Sequence, residues 1–222
     1  MFDPDQRISS PQSQYILSEP PKYQDYVIKD GRFVGRFEEM YKDFDDPWHQ
    51  SEPRLSQESY SRWATILHIR RFGIGSLVEC GAGLGNFTNL ITQETGARVT
   101  GIDISETAVR KARTRYHNLR FEVDTVDNLS RYRDHDAVLF AEITWYLLDQ
   151  FDSVLETLRS HFSGKYFLHN LVFYKAGQRY GREYFTNLNE FIGRVPFELI
   201  ARMEGTTKDM DTIETSTVFR IP

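Results

Sequence analysis

The sequence predicts an α/β protein: a seven-stranded, mostly parallel sheet with a C-terminal antiparallel hairpin and an N-terminal helical lid. Three observations carry this. Short apolar runs alternate with helical stretches from Ser76 to Tyr174, the pattern of a doubly wound parallel sheet. The last two runs, 197–204 and 212–221, are joined by a polar link too short for a parallel crossover, so they pair antiparallel. Ahead of the first strand, Phe33, Phe37, Met40, Tyr41 and Phe44 recur at spacings of three and four, one apolar face of a helix over 33–44.

Residues 1–30 are polar and contain Pro4, Pro11, Pro20 and Pro21, which reads as a flexible arm with few core contacts. Residues 31–72 form the helical lid. Asp46-Pro47 stops its first helix, and a second, over 55–71, presents Tyr60, Trp63, Ile66, Leu67 and Ile69. The main domain spans 73–222. SLVEC (76–80) is an apolar run bounded by glycines, hence a buried strand. A helix over 86–94 ends at Gly96. RVTGID (98–103) is the second strand, and Ser105 caps a helix to about 115 with Glu106 in its first turn. LRFEVD (119–124), DAVLFAE (136–142) and GKYFLHNLVFY (164–174) are further strands, with helices over 149–161 and 187–193.

Composition bounds the function. The 222 residues are 40% hydrophobic and 27% charged, as in an ordinary globular protein, and need no disulfide to bury a core. Cys80 is the one cysteine, so no internal disulfide forms. The net charge of −5 disfavours a nucleic-acid partner. No apolar stretch approaches 18 residues, so no membrane partner is expected, and the N-terminus lacks the apolar segment of a signal peptide. A cytoplasmic protein is expected. No His, Cys, Asp and Glu cluster has metal-ligand spacing, so no metal is assigned.

The most informative segment is Glu79-Cys80-Gly81-Ala82-Gly83-Leu84-Gly85, between the first strand and its helix. Ligands of open α/β sheets bind at that edge, and glycines let the backbone turn tightly and approach a ligand. A dinucleotide loop places its third glycine where this chain has Asn86. Here the glycines fall at 81, 83 and 85 behind an acid. Asp103 ends the second strand, where a carboxylate accepts from both hydroxyls of a ribose.

The acid-x-Gly-x-Gly-x-Gly pattern resembles motif I of the Rossmann-like class I methyltransferases that use S-adenosylmethionine (SAM). Other segments resemble one branch of them, the nodulation-protein-S-like methyltransferases and their relatives in sugar pathways. These are Phe37 to Glu52 with its Asp-Pro-Trp, Ala141 to Leu147 with Trp145 in place of a usual Tyr, and Gly177 to Phe185. The resemblance implies SAM as cofactor, held by Glu79, Gly81, Ala82, Gly83, Gly85, Asp103, Ile104, Asp124 and Thr125, with Trp48 from the lid. In that set Glu79 takes the cationic end of the cofactor. Asp124 accepts from the adenine amino group, with Asp127 as its competitor, and the Thr125 N–H reaches a ring nitrogen.

The acceptor is expected over the carboxyl ends of the strands, near Trp145 and Tyr146. His169 and Glu142 are the candidate catalytic residues: His169 as a base of near-neutral pKa, Glu142 as base or amine-orienting acid. Arg179 and Arg182 lie among tyrosines after the fifth strand, suiting an anionic, sugar-type acceptor. The expected reaction is methyl transfer to an amine or hydroxyl of a small acceptor such as a nucleotide sugar or glycan precursor. An unrelated small metabolite, a SAM-binding partner protein without turnover, and a homodimer are left open.

Overall fold

The computed structural model describes residues 22–29, 32–52, 58–178 and 180–222. Most of the predicted arm, the start of the second predicted lid helix and Arg179 lie outside these residues.

Seven strands form one sheet in the order β5-β4-β3-β6-β7-β9-β8. They are β3 (Ser76–Cys80), β4 (Arg98–Asp103), β5 (Arg120–Val123), β6 (Ala137–Ala141), β7 (Tyr166–Tyr174), β8 (Glu198–Gly205) and β9 (Thr212–Arg220). β3 pairs in parallel with β4 on one side and β6 on the other. The winding therefore reverses between β3 and β6, which opens a crevice at their carboxyl ends.

The expected hairpin is antiparallel, but β9 inserts between β7 and β8 rather than forming the edge. Its apolar and hydroxyl residues explain the choice. Thr215 to Phe219 are buried, whereas β8 is only partly buried and carries Arg202 and Glu204, charges that suit an edge.

Helices cover both faces. On one, Ile66 and Ile69 of α2 (Tyr60–Phe72) and Phe87 and Ile91 of α3 (Asn86–Thr95) pack on Leu77, Leu139, Leu168 and Val218. On the other, Phe151, Leu155 and Leu158 of α5 (Phe151–His161) and Phe191 of α6 (Leu188–Arg194) pack on Phe140, Phe167 and Phe219. α4 (Glu106–Arg115) lays Val109 and Ala112 against Ala82 and Phe121. As expected, Ser105 caps α4, accepting from the Ala108 N–H, and Gly96 ends α3 in a left-handed conformation.

The arm and the lid each differ from their prediction in one place. α1 spans only Phe37–Asp43, because Gly35 at φ 58° turns the chain, and Phe33 instead ends a two-strand ribbon of β1 (Ile28–Lys29) and β2 (Arg32–Phe33). The expectation of few core contacts fails for the last part of the arm: Tyr26 and Val27 are buried with Met40, Tyr41, Leu84 and Ala108. Tyr26 also donates its hydroxyl hydrogen bond to Asp43, tying this segment to the end of α1.

Candidate active site

The glycine loop leaves β3 with Gly81, Gly83 and Gly85 at φ 72°, 54° and 77°, the left-handed region that disfavours other residues. Each glycine also faces a neighbour that a side chain would strike. A Cβ on Gly81 would collide with Ile143, after β6. One on Gly83 would lie 2.6 Å from the Tyr41 hydroxyl and 3.0 Å from Gln50 Oε1, both on the lid. One on Gly85 would lie 2.5 Å from the Phe121 ring. The loop is thus fitted between the switch-point strands and the lid, with Gly83 cradled against Tyr41 and Gln50.

Asp103 clamps that cradle. Its Oδ2 accepts from the Gly83 N–H at 2.9 Å and its Oδ1 from the Ser105 N–H at 2.9 Å. Burial pushes its carboxyl above the usual range despite those bonds. Ala82 is buried beside it, while Ile104 is 56% exposed. Glu79 lies just below on β3, buried, with Oε2 accepting from the Thr88 hydroxyl at 2.5 Å. Burial raises its carboxyl to about 7, the Thr88 bond and the Arg62 charge opposing.

Asp124 sits at the end of β5, but its carboxylate is occupied by its own turn. Oδ1 accepts from the Thr125 N–H at 2.9 Å and Asn128 Nδ2 at 2.7 Å. Oδ2 accepts from Arg131 Nη1 and the Tyr132 hydroxyl, both at 2.7 Å. Burial would raise its carboxyl, but these partners hold it below the usual range. Asp127, the competitor, is exposed.

The lid meets the loop through residues that no spacing marked. Gln50 Oε1 accepts from the Leu84 N–H at 3.2 Å. Glu38 Oε2 accepts from the Ser105 hydroxyl at 2.7 Å and the Thr107 N–H at 3.1 Å, and its Oε1 from the Thr107 hydroxyl at 2.8 Å. Burial opposes its charge, but these bonds hold its carboxyl down at about 2. Trp48 is tilted against Tyr146 at 6.1 Å, and Tyr146 stacks on Phe33 at 5.6 Å and meets the edge of Phe37 at 5.2 Å. Tyr146 therefore joins the lid to the end of β6.

Glu142 follows β6 with φ 66°, a strained backbone for a residue with a Cβ. The residue is exposed, and among the described residues its carboxylate accepts no hydrogen bond; desolvation by the surrounding protein raises its pKa while the Arg62 charge opposes. Burial raises the pKa of the Tyr146 hydroxyl, and the Glu142 charge adds to the shift.

Two expected roles are corrected. His169 is fully buried, stacks on Phe191 at 4.0 Å and pairs Nε2 with the Thr144 hydroxyl at 2.6 Å. Burial lowers its pKa to about 3, so it is a neutral core residue and no base for an acceptor. Its position on a middle strand puts it under α6 instead of in the crevice. Trp145 donates its indole N–H to Val172 O at 3.3 Å and packs on Phe173 and Phe185, so it supports the core and only part of it stays exposed. Arg182 is exposed on the loop after β7, and its partner in that expectation, Arg179, lies outside the described residues. Among the described residues, no group of three His, Cys, Asp or Glu could hold a metal, and no helix is long and apolar enough to cross a membrane.

Residues 77–163 match the methyltransferase-domain family model. No curated protein matches the chain. Among solved structures, the N-methyltransferase NodS from Bradyrhizobium japonicum WM9, in complex with S-adenosyl-L-homocysteine, is similar at TM-score 0.64 and 17% identity, over 83% of this chain and 98% of that one. The phosphoethanolamine N-methyltransferase 2 of Haemonchus contortus, in complex with S-adenosyl-L-methionine, gives 0.59 and 14%, over 92% of this chain and 61% of that one. The PH0226 protein of Pyrococcus horikoshii OT3 gives 0.55 and 18%, over 79% and 98%. The chain has the class I methyltransferase fold, with NodS among its structural neighbours.

Proposed function

We propose that the protein transfers a methyl group from SAM to an amine or hydroxyl of a small acceptor. The observation that carries this is the Gly81–Gly85 loop gripped by Asp103 at the switch point, with Tyr41 and Gln50 of the lid against Gly83. The residues fit the cofactor. The left-handed glycines bring the loop backbone up bare of side chains, and Glu79 and Asp103 offer acceptor oxygens to a ligand that carries a sulfonium, an ammonium and ribose hydroxyls. Asp103 would hold the ribose, and Glu79 the ammonium. The adenine would lie beside the turn after β5, which the Asp124 carboxylate closes by taking the Thr125 N–H, Asn128, Arg131 and Tyr132.

Bound SAM supplies an activated methyl carbon. The chain then has to align an acceptor and exclude water. The lid aromatics Phe33, Phe37 and Trp48, gathered on Tyr146, close the site from above. In this reading Glu142 takes the proton from an amine or hydroxyl; its position after β6 and a pKa above that of an ordinary carboxylate support the role.

The acceptor we favour is sugar-type, a nucleotide sugar or glycan precursor. Support comes from Arg182 and the exposed Tyr174 at the mouth of the β7 loop, beside Tyr180. The test is incubation with methyl-labelled SAM and a small-molecule extract, read by mass spectrometry. Label appearing in a small amine or alcohol is the expected outcome. SAM bound but never consumed would leave a binding protein without turnover.

A further inference from the structure

β8 ends the sheet. Among the described residues it pairs only with β9, so its outer row of N–H and C=O groups is open to a further strand. The bulge at Ile200 breaks the ladder between Leu199 and Ala201, which leaves Ala201 to Gly205 as the regular stretch of that edge. Within it Arg202 and Glu204 share one face of the strand, where Arg202 donates to Glu204 and, at 2.8 Å, to Asn189 Oδ1 on α6. Ala201, Met203 and Gly205 take the other face by the alternation of a strand. There Gly205 lies against Tyr60 of α2, whose Cβ would be 2.7 Å from a Cβ on the glycine.

The order Ala-Arg-Met-Glu-Gly decides what this edge fits. Alternate residues of a strand turn their backbone groups outward, and an outward residue has to meet an outward residue. An antiparallel copy of the same strand is therefore centred on a residue. Centred on Met203, it sets Arg202 opposite the partner's Glu204 and Glu204 opposite the partner's Arg202, so opposite charges meet twice. Centred one residue to either side, it sets Arg202 or Glu204 against its own copy, like charge against like. The Met203 register also puts Ala201 opposite the partner's Gly205. These are the smallest side chains of the stretch, and they leave space for Tyr60, which is 44% exposed.

We propose that the protein forms a twofold dimer by antiparallel pairing of β8 with β8 of a second copy, centred on Met203. The Arg202 and Glu204 pairs set the register, and the backbone ladder and Tyr60 supply the contact. β7 and β9 lie between this edge and β6, so the crevice of each subunit stays open. The dimer does not depend on what the crevice binds.

Sedimentation equilibrium of the full chain with two charge reversals tests it. Wild type should pass from monomer to dimer as its concentration rises. Arg202→Glu sets acid against acid twice, and Glu204→Arg sets base against base twice; each alone should weaken the dimer about 10- to 100-fold. Both side chains are exposed in the monomer, so circular dichroism should not change. Mixed in equal amounts, the two variants should form a mixed dimer, since one brings two acids to the pairing and the other two bases. Met203→Cys should close a disulfide across the twofold axis and Glu198→Cys should not, the buried Cys80 being the one other thiol. Wild type that stays monomeric at every concentration overturns the proposal. So does a dimer that neither reversal weakens, or one cross-linked at position 198 instead of 203, since either places the contact elsewhere. Two reversals that abolish the dimer and do not rescue each other when mixed overturn it too, because the charges are then needed within each subunit and not across the pair.

Discussion

Glu38 on the lid helix holds Thr107 at the start of α4 with both oxygens, accepting from its hydroxyl at 2.8 Å and its N–H at 3.1 Å. The same carboxylate takes the Ser105 hydroxyl, two residues past Asp103. A carboxylate at a helix N-terminus meets unpaired N–H groups and the positive end of the helix dipole. The lid is therefore docked on the element that carries the ribose acid. Glu38→Ala should cost about 1–2 kcal/mol of stability and weaken S-adenosylhomocysteine binding, as read by urea unfolding and calorimetry. Unchanged values of both would detach the lid from the site.

Asp103→Ala should weaken cofactor binding by about 1–3 kcal/mol, since a charged acceptor is lost and the Gly83 N–H is left without its partner. Calorimetry at one pH is enough. Wild-type affinity in this variant would take Asp103 out of the binding site.

Glu79 predicts a pH dependence. Its carboxyl is raised by burial to about 7, so it is neutral in acid and ionised only above that value. An ammonium prefers the ionised form, so affinity for S-adenosylhomocysteine should rise from about pH 6 to about pH 8. In the free protein the sign is opposite. The stability Glu79 contributes is full below the ordinary carboxyl range and is lost as pH climbs to about 7. Glu79→Gln should flatten both trends. A flat affinity profile in wild type would mean that Glu79 does not meet the ammonium.

His169→Gln should lower thermal stability through loss of the Phe191 stack and the Thr144 bond, by about 1–3 kcal/mol. Its pH–rate profile should keep the wild-type shape, because a group neutral above about 3 cannot supply a titration near neutrality. A profile that lost its acidic limb would restore His169 as a base.

The parallel core was legible in the sequence because β3, β6 and the helices between strands follow simple periods. SLVEC is buried at all five positions, as a run bounded by glycines implies. The glycine loop and Asp103 were legible for the same reason, since turn chemistry is local. What escaped depends on tertiary packing. The order of β8 and β9 is decided by which strand faces β7; the charges of β8 suit an edge, but the hairpin alone leaves both orders open. His169 looked reactive by type, yet its neighbours on α6 come from more than 20 residues away and seal it. Gln50 and Glu38 act across the lid interface, so nothing beside them in the chain announces their partners.

The most direct measurement is a calorimetric titration of the full chain with S-adenosylhomocysteine and, separately, with NAD. The loop spacing, the Asp103 clamp and the acids around them predict saturable binding of S-adenosylhomocysteine, none of NAD, and loss of the former in Gly83→Ala, whose Cβ would strike the Tyr41 hydroxyl and Gln50 and strain the left-handed loop backbone. Binding of NAD without S-adenosylhomocysteine would contradict the account.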